Sequence, residues 1–421
     1  MTSLSRRSFL ATAAAAAFAR PASGAEPQTP DQMLDDLINQ NQDNGLGSGF
    51  DSASRNVRLP KSSLPTLSPS TAEATQTAIA QYEAIVAKGG WPELPAVPKM
   101  RVGGRHPAVP ALRERLSASG DLDLNSGDPQ VFDSYVDAAV QRFQLRHGLN
   151  ADGLMRDATW RALNVPAQIR LSQLKTNVAR LRSFGGNLGD RIVVANIPAA
   201  QIEAIENGIA VSRHQAMPGK PERPSPDIQS RISQIDFSPY WTVPVALIRE
   251  ELIARLQAES DYLARNRVRI FDAGGNEVAP ARIDWSTSEA ATYKFKQDPG
   301  EFNALGAIRV DFPNVHGVYM HDTPSKNLFG EDFRFAAPGS MRVQNIRELV
   351  SWILADSPGW SKAEIDETIR SGARKDATVA KSLPLYWVYV TAWATPDGVV
   401  QFRNDVYNRD GFGARTDTSR G

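Results

Sequence analysis

There is no cysteine among the 421 residues of this chain. That excludes disulfides, thiolate metal sites and a cysteine nucleophile together. Charge of one sign is also missing: lysines plus arginines and aspartates plus glutamates both number 47. Composition therefore argues for neither a nucleic-acid partner nor an anionic membrane surface. Histidine is scarce, and His106, His147, His214, His316 and His321 fall without HExxH-type spacing, so no metal site is expected. No organic cofactor is signalled either. After the N-terminal stretch no apolar run approaches the roughly 20 residues of a spanning helix. The length leaves room for two or three domains with substantial cores.

What is present begins with an address. Ser5-Arg6-Arg7-Ser8-Phe9-Leu10, an alanine run and small residues near position 25 read as an export signal of the twin-arginine type over residues 1–25. The alternative is an ordinary secretory signal with two arginines, and either places the mature chain outside the cytoplasm. Residues 26–69, rich in Ser, Pro, Gly, Asn and Asp, read as a disordered linker. Ser70 with Glu73 forms a capping-box pattern that opens an N-terminal helical segment, residues 70–99. Its helix carries Ile79, Tyr82, Ile85 and Val86 and stops at Lys88-Gly89-Gly90. Residues 100–166 read as a small helical module, with Leu112 and Leu116 on one helix, Val136, Val140 and Phe143 on a second, and a third over 157–163. A connecting helix lies within 167–190, with Leu171, Leu174, Val178 and Leu181 on one face.

From residue 191 the pattern turns mostly to strand. Asn207-Gly208 between 201–206 and 209–213 is a strong hairpin signal. Residues 246–265 read as helix, 268–285 as short strand with a Gly274-Gly275 turn, and the stretch up to 303 as charged loop. Strands are expected at 307–312 and 317–321. Asn345 with Glu348 predicts a capping box opening a helix with Ile346, Leu349, Val350 and Ile353 on its apolar face. A second capped helix is predicted from Ser361 through 370. Residues 385–394 and 399–403, hinged at Asp397-Gly398, predict a closing hairpin. Residues 411–421 are left as a tail.

The stretch VHGVYMHDTPSKNLFGEDFRFAAPGSMRV, residues 315–343, holds the chemistry. A strand-like run delivers His321 into the turn-forming Asp322-Thr323-Pro324, and Pro338-Gly339-Ser340-Met341-Arg342 follows about twenty residues later. A base, a hydroxyl and a cation are thereby proposed for one site. This stretch resembles the catalytic signature of the L,D-transpeptidases of the YkuD type, closest to their large periplasmic branch. The string AAVQRFQLRHGLNADGLMRDATWRALN, residues 138–164, resembles a three-helix peptidoglycan-binding domain. The resemblances imply an α+β chain: a mostly β catalytic domain with flanking helices over 191–410, preceded by the peptidoglycan-binding-like module, with a lid-like insertion at about 245–303. They also imply a periplasmic protein whose partners are peptidoglycan stem peptides and glycan strands.

Two positions depart from the family pattern. Ser340 stands where the family carries its nucleophilic cysteine, and Pro338 where it commonly carries a second histidine. By resemblance His321 is the base, Ser340 the nucleophile position and Gly339 an oxyanion donor, with Arg342, Tyr319 and Asp322 on the substrate side. Read from the residues alone, Arg342 suits carboxylate binding or a structural ion pair, Tyr319 a cleft wall or the core, and Phe143, Leu149 and Leu163 the module's core. A serine hydroxyl ionises far above the thiol range, so it needs a well-aligned imidazole. Three outcomes remain open: a serine acyltransferase or hydrolase, a pseudo-transpeptidase that binds peptidoglycan or regulates an active paralogue, or a binding protein whose function is supplied by the helical module at 100–166.

Overall fold

The computed structural model describes residues 62–95, 100, 102–125, 127–184, 188–259, 261–331 and 333–412. The export-signal reading and the linker up to residue 61 lie outside the described residues, as does the tail from 413. Among the described residues no helix is long and apolar enough to cross a membrane.

Helix α1 (Pro69–Ala87) is capped by Ser68, whose side chain accepts from the Thr71 N–H, with Pro69 in the first turn. The cap sits two residues ahead of the Ser70 expected from sequence. Proline has no N–H to satisfy and its fixed φ suits N1, which draws the helix start back to it. Gly89 and Gly90, both at positive φ, end the segment as expected. Helices α2 (Val109–Ala118), α3 (Ser134–Arg146) and α4 (Asp157–Asn164) form the module. Leu112, Leu116, Val136, Val140, Phe143 and Leu163 are its interior, with Leu149 against it. Each fully buried aliphatic or aromatic side chain of this kind contributes about 1.5–3 kcal/mol. Helix α5 (Ala167–Ser183) then lies against α1 through Leu171, Leu174 and Val178.

The larger body is a barrel. Strands β1 (Arg191–Asn196), β2 (Gln201–Glu206), β3 (Ile209–Met217) and β4 (Ile228–Phe237) open it. Asn207 and Gly208, at φ 51° and 77°, make the β2–β3 turn with the two left-handed residues that a tight hairpin requires. Strands β5 (Trp241–Thr242), β6 (Val268–Phe271) and β7 (Lys294–Gln297) belong to an insertion with its own sheet, in the order β5-β7-β6, and its own interior. The helix expected over 246–265 is broken there. A π turn, Ile248–Leu252, interrupts it, and a separate turn follows at Tyr262–Arg265. The five-residue step of the π turn carries Leu247 and Leu252 to the same apolar interior.

The chain returns to the barrel with β8 (Ile308–Asp311), β9 (Met320–His321) and β10 (Met341–Val343). Helices α6 (Ile346–Ile353) and α7 (Lys362–Ser371) follow, then β11 (Lys375–Val388). The closed order is β1-β11-β4-β8-β9-β10-β3-β2. Val193, Ile202, Ile235, Val310, Met320, Met341 and Trp387 fill it, joined by the apolar face of α6. The mixed content, helices in front of a β-rich domain, matches the α+β expectation.

Two expectations are revised in detail. The closing hairpin does not begin at 385: β11 stays in the barrel, and only β12 (Ala392–Ala394) and β13 (Val400–Phe402) pair across Asp397-Gly398. Between them the Asn196 and Asn177 side chains accept from the Val390 and Thr391 N–H groups, so side chains replace the ladder there. Residues 62–68, within the expected linker, lie against the barrel. Ala210 N–H donates to Ser63 O, Thr66 N–H donates to a Glu203 oxygen, and Arg213 binds Glu203 at 2.9 Å while donating to the Ser62 and Leu64 carbonyls.

Glu203 and Arg213 are nearly buried, with side chains 3% and 9% exposed. Removing the cation leaves the carboxylate desolvated without its counter-charge. Arg213→Ala is therefore expected to destabilise the protein by about 3 kcal/mol in urea denaturation and to open residues 62–66 to protease. A loss under about 1 kcal/mol would contradict a structural role for this pair.

Candidate active site

The site is assembled by strand register. β9 pairs parallel with β10, setting Met320 beside Met341 and His321 beside Arg342. On its other edge β9 runs antiparallel to β8, setting His321 beside Arg309. Met320 and Met341 point into the barrel interior. Alternation therefore sends Tyr319, His321, Ser340, Arg342 and Arg309 to the opposite, outer face. Ser340 precedes β10 and lies across from Tyr319: its Oγ accepts the Tyr319 N–H at 3.3 Å, and Met341 N–H donates to Tyr319 O at 3.0 Å. The serine and the histidine, nineteen positions apart in the chain, become diagonal neighbours on one face.

His321 is 2% exposed and Ser340 8%. The ring Nδ1 of His321 contacts the Asp322 carbonyl. A carbonyl only accepts, so Nδ1 carries the proton and Nε2 keeps its lone pair. Burial, reinforced by the nearby Arg342 guanidinium, brings the imidazole down to about 3. It is thus neutral throughout the physiological range, available as a proton acceptor but a weak one.

Tyr319 meets His321 edge to face, with ring centroids 5.6 Å apart, and Arg309 lies 5.5 Å from its ring. Burial of the phenol pushes it up to about 12. The ring also packs on the interior of the insertion, to which Trp241 on β5 belongs. Tyr319 is therefore both a member of the outer face and the point where the insertion docks on it. Arg309 holds Asp236 and Asp311, at 2.5 and 2.9 Å.

The remaining residues singled out from sequence divide. Arg342 is buried on β10, and one of its guanidinium nitrogens lies 3.4 Å from Met217 Sδ. Asp322, expected on the substrate side, is committed to the scaffold. One oxygen accepts the Ala307 N–H at 3.0 Å and the other binds Lys326. Gly306, at φ 60°, packs so closely that a Cβ there would lie 2.5 Å from that carboxylate. Asp322 thereby ties the returning end of the insertion to β9. His316 is exposed in the turn before β9. Only Met320 and His321 of the expected 317–321 strand pair as one, because the Asn314 side chain takes the Val318 N–H and carbonyl and Gly317 turns at φ 65°.

Helix α6 forms where expected, yet Asn345 adopts φ 50° and makes no side-chain cap. A left-handed residue does not present its side chain to the first-turn N–H groups as an extended cap residue does. β10 and two further residues separate Ser340 from this helix, so its dipole, which fades within one turn, does not reach the hydroxyl. Two residues that sequence reading passed over also bear on the site. The Ser225 hydroxyl donates to Gly339 O at 2.8 Å, and Tyr407 contacts Ser225 in turn. Their nearest sequence signal is the turn-forming Pro218-Gly219, which lies six residues before Ser225 at its glycine and names no partner.

Comparisons with known proteins agree with this architecture. Residues 190–365 match the YkuD family, the L,D-transpeptidase catalytic domain. Residues 105–163 match a family described as "Putative peptidoglycan binding domain". A Haemophilus influenzae protein named "Putative L,D-transpeptidase" is 29% identical over 219 residues, 52% of this chain and 44% of its own length. N-acetylmuramoyl-L-alanine amidase CwlM of Mycobacterium tuberculosis is 39% identical over 72 residues, 15% of this chain and 18% of its own. This chain thus spans less than half the length of these curated relatives. Among solved structures, an L,D-transpeptidase from Stackebrandtia nassauensis covers 70% of this chain and 97% of its own at 11% identity and a TM-score of 0.28. One from Mycobacterium smegmatis covers 47% and 58% at 14% identity and a TM-score of 0.24. At such TM-scores the overlays carry no argument. An L,D-transpeptidase-type domain behind a peptidoglycan-binding-type module is what the family matches support.

The depressed imidazole has a consequence for stability. Its folded value, about 3, lies below the roughly 6.5 of an unfolded histidine. The unfolded chain therefore takes up the proton first, and stability present above about pH 6.5 is lost as pH falls toward 3. His321→Gln is expected to make the fall in Tm between pH 6.5 and 4 shallower. The fall does not vanish, because burial lowers His147 and His214 in the same sense. An unchanged slope in this variant would rule out a buried neutral His321.

Proposed function

We propose that this chain remodels peptidoglycan: it binds stem peptides over the outer face of β9 and β10 and transfers their acyl group through Ser340, with His321 as base, far more slowly than a thiolate would. The observation that carries the reading is the placement of the Ser340 hydroxyl and the His321 ring on one face of adjacent strands. The domain matches support peptidoglycan as the substrate class. In the proposed step Oγ bonds to the peptide carbonyl carbon as its proton passes to Nε2. Collapse then breaks the bond to the terminal residue, whose amine takes the proton from the imidazolium. An amine of a neighbouring stem, or water, next attacks the ester and gives its proton to Nε2; the ester C–O bond breaks and the imidazolium returns that proton to the Ser340 Oγ. The amides of Gly339 and Ser340 are the proposed donors to the developing oxyanion, and Arg342 supplies positive charge nearby. Export to the periplasm by the twin-arginine route, and glycan binding by residues 100–166, belong to the same proposal.

The slow rate follows from three features. An oxygen nucleophile cannot ionise without its base, and an imidazole near 3 accepts a proton reluctantly. Pro338 offers no N–H to the turn ahead of the nucleophile. A second reading, binding of stem peptides without turnover, is favoured by one observation: Ser340 Oγ already accepts the Tyr319 N–H inside a nearly closed face.

Incubating the protein with tetrapeptide muropeptides and following products by mass spectrometry separates the two. Acyl transfer predicts trimmed or cross-linked products that Ser340→Ala abolishes and Ser340→Cys raises by about 10²-fold, since sulfur supplies the nucleophile that the family pattern calls for. No product from the native protein, together with its co-sedimentation with sacculi, selects the binding reading. For acyl transfer, the rate is also expected to stay level from pH 8 down to pH 5, because His321 titrates well below that window. An acid limb near pH 6.5 would contradict a base depressed by burial to about 3 and would point to an imidazole of ordinary basicity.

A further inference from the structure

The turn before Ser340 is held from a part of the chain that the acyl-transfer reading leaves out. Ser225 is fully buried in the loop between β3 and β4. Its Oγ accepts the Gly219 N–H at 2.9 Å, so the single hydroxyl proton is directed to Gly339 O, 2.8 Å away. Tyr407 locks the same loop from the other side: its Oη donates to Gly219 O and accepts the Ser225 N–H. Gly219 admits no side chain there, since a Cβ would lie 2.2 Å from Arg223 O. Tyr407 is itself anchored by stacking on Tyr389, at 5.5 Å between centroids, and by a hydrogen bond from its N–H to Tyr389 Oη. Its neighbour Asp405 accepts from that same hydroxyl.

A trans peptide is planar, so its C=O and the following N–H point in opposite directions. Fixing Gly339 O on the Ser225 hydroxyl therefore fixes the direction of the Ser340 N–H. Gly339 stands at φ 104°, open backbone space in which this plane would otherwise rotate with little resistance.

We propose that Ser225, braced by Tyr407, is the positioning residue that aims the Ser340 N–H at the outer face, where an oxyanion would develop. This rests on the acyl-transfer reading above and extends it to residues beyond the catalytic signature. Tyr407 lies past residue 365, where the family match ends.

The test uses the full chain carrying Ser340→Cys, acylated by a carbapenem. Adding Ser225→Ala is expected to lower the acylation rate at saturation about tenfold to a hundredfold, with half-saturation unchanged, as for a misaimed oxyanion donor. Ser225→Thr, which keeps the hydroxyl, restores the rate. Tyr407→Phe gives a smaller loss of the same kind, and thermal melts establish that each variant is folded. Acylation by the Ser225→Ala double variant at the parent rate overturns the proposal, as does a loss confined to half-saturation. Should Ser340→Cys alone resist acylation, the acyl-transfer reading fails instead. The positioning claim is then read from a crystal structure of Ser225→Ala: a rotated Gly339–Ser340 peptide plane upholds it, and an unmoved plane overturns it.

Discussion

The parallel ladder between β9 and β10 is the constraint on which the site depends. It joins two short strands separated by nineteen residues of loop and 3₁₀ turn, and it holds because Met320 and Met341 are both sealed in the barrel interior. A slip of one residue would turn those methionines outward and carry the imidazole and the hydroxyl into the core. Hydrophobic burial on one side of the sheet thus fixes the polar geometry on the other. Closure of the barrel reinforces this, since β10 is also held by β3 and β9 by β8.

The same burial sets the chemistry. A desolvated imidazole beside Arg342 is neutral and, through the Asp322 carbonyl, locked with Nε2 open. With a thiol, which ionises near 8.5, little base strength would be needed. With serine the whole burden falls on a weak base. For the acyl transfer proposed above, the site would supply a face for the reacting groups but little base strength, and slow turnover and binding alone are the two outcomes compatible with that balance. The insertion adds a further layer, packing its interior on Tyr319 and tied down at its returning end by Asp322 and Gly306.

Local signals were legible wherever one residue type imposes a conformation. Asn207-Gly208 marked the β2–β3 hairpin and Gly89-Gly90 the end of α1, because both pairs occupy the left-handed region. Ser361 marked the start of α7, and its side chain does accept the Glu364 N–H. Where local pattern competed with a distant partner it misled. Asn345 read as a cap yet took a left-handed backbone, and the strand expected over 317–321 shrank to two residues under the hydrogen bonds of Asn314. Residues 62–68 looked like linker because their composition is loose, but Glu203 and Arg213 on the barrel hold them.

Sequence alone determined the inventory: no thiol, an imidazole in an HDTP turn, a hydroxyl after glycine, and a helical module ahead of a strand-rich region. Those are properties of side chains and short-range dihedral preference, and they survive without a fold. Which of these groups meet was decided only by tertiary structure, because barrel closure and register join residues that no local rule connects. That is why Asp322, next to a promising histidine in the chain, became a brace for the insertion. It is also why Ser225 and Tyr407, remote and unremarked in the sequence, came to hold the turn before Ser340.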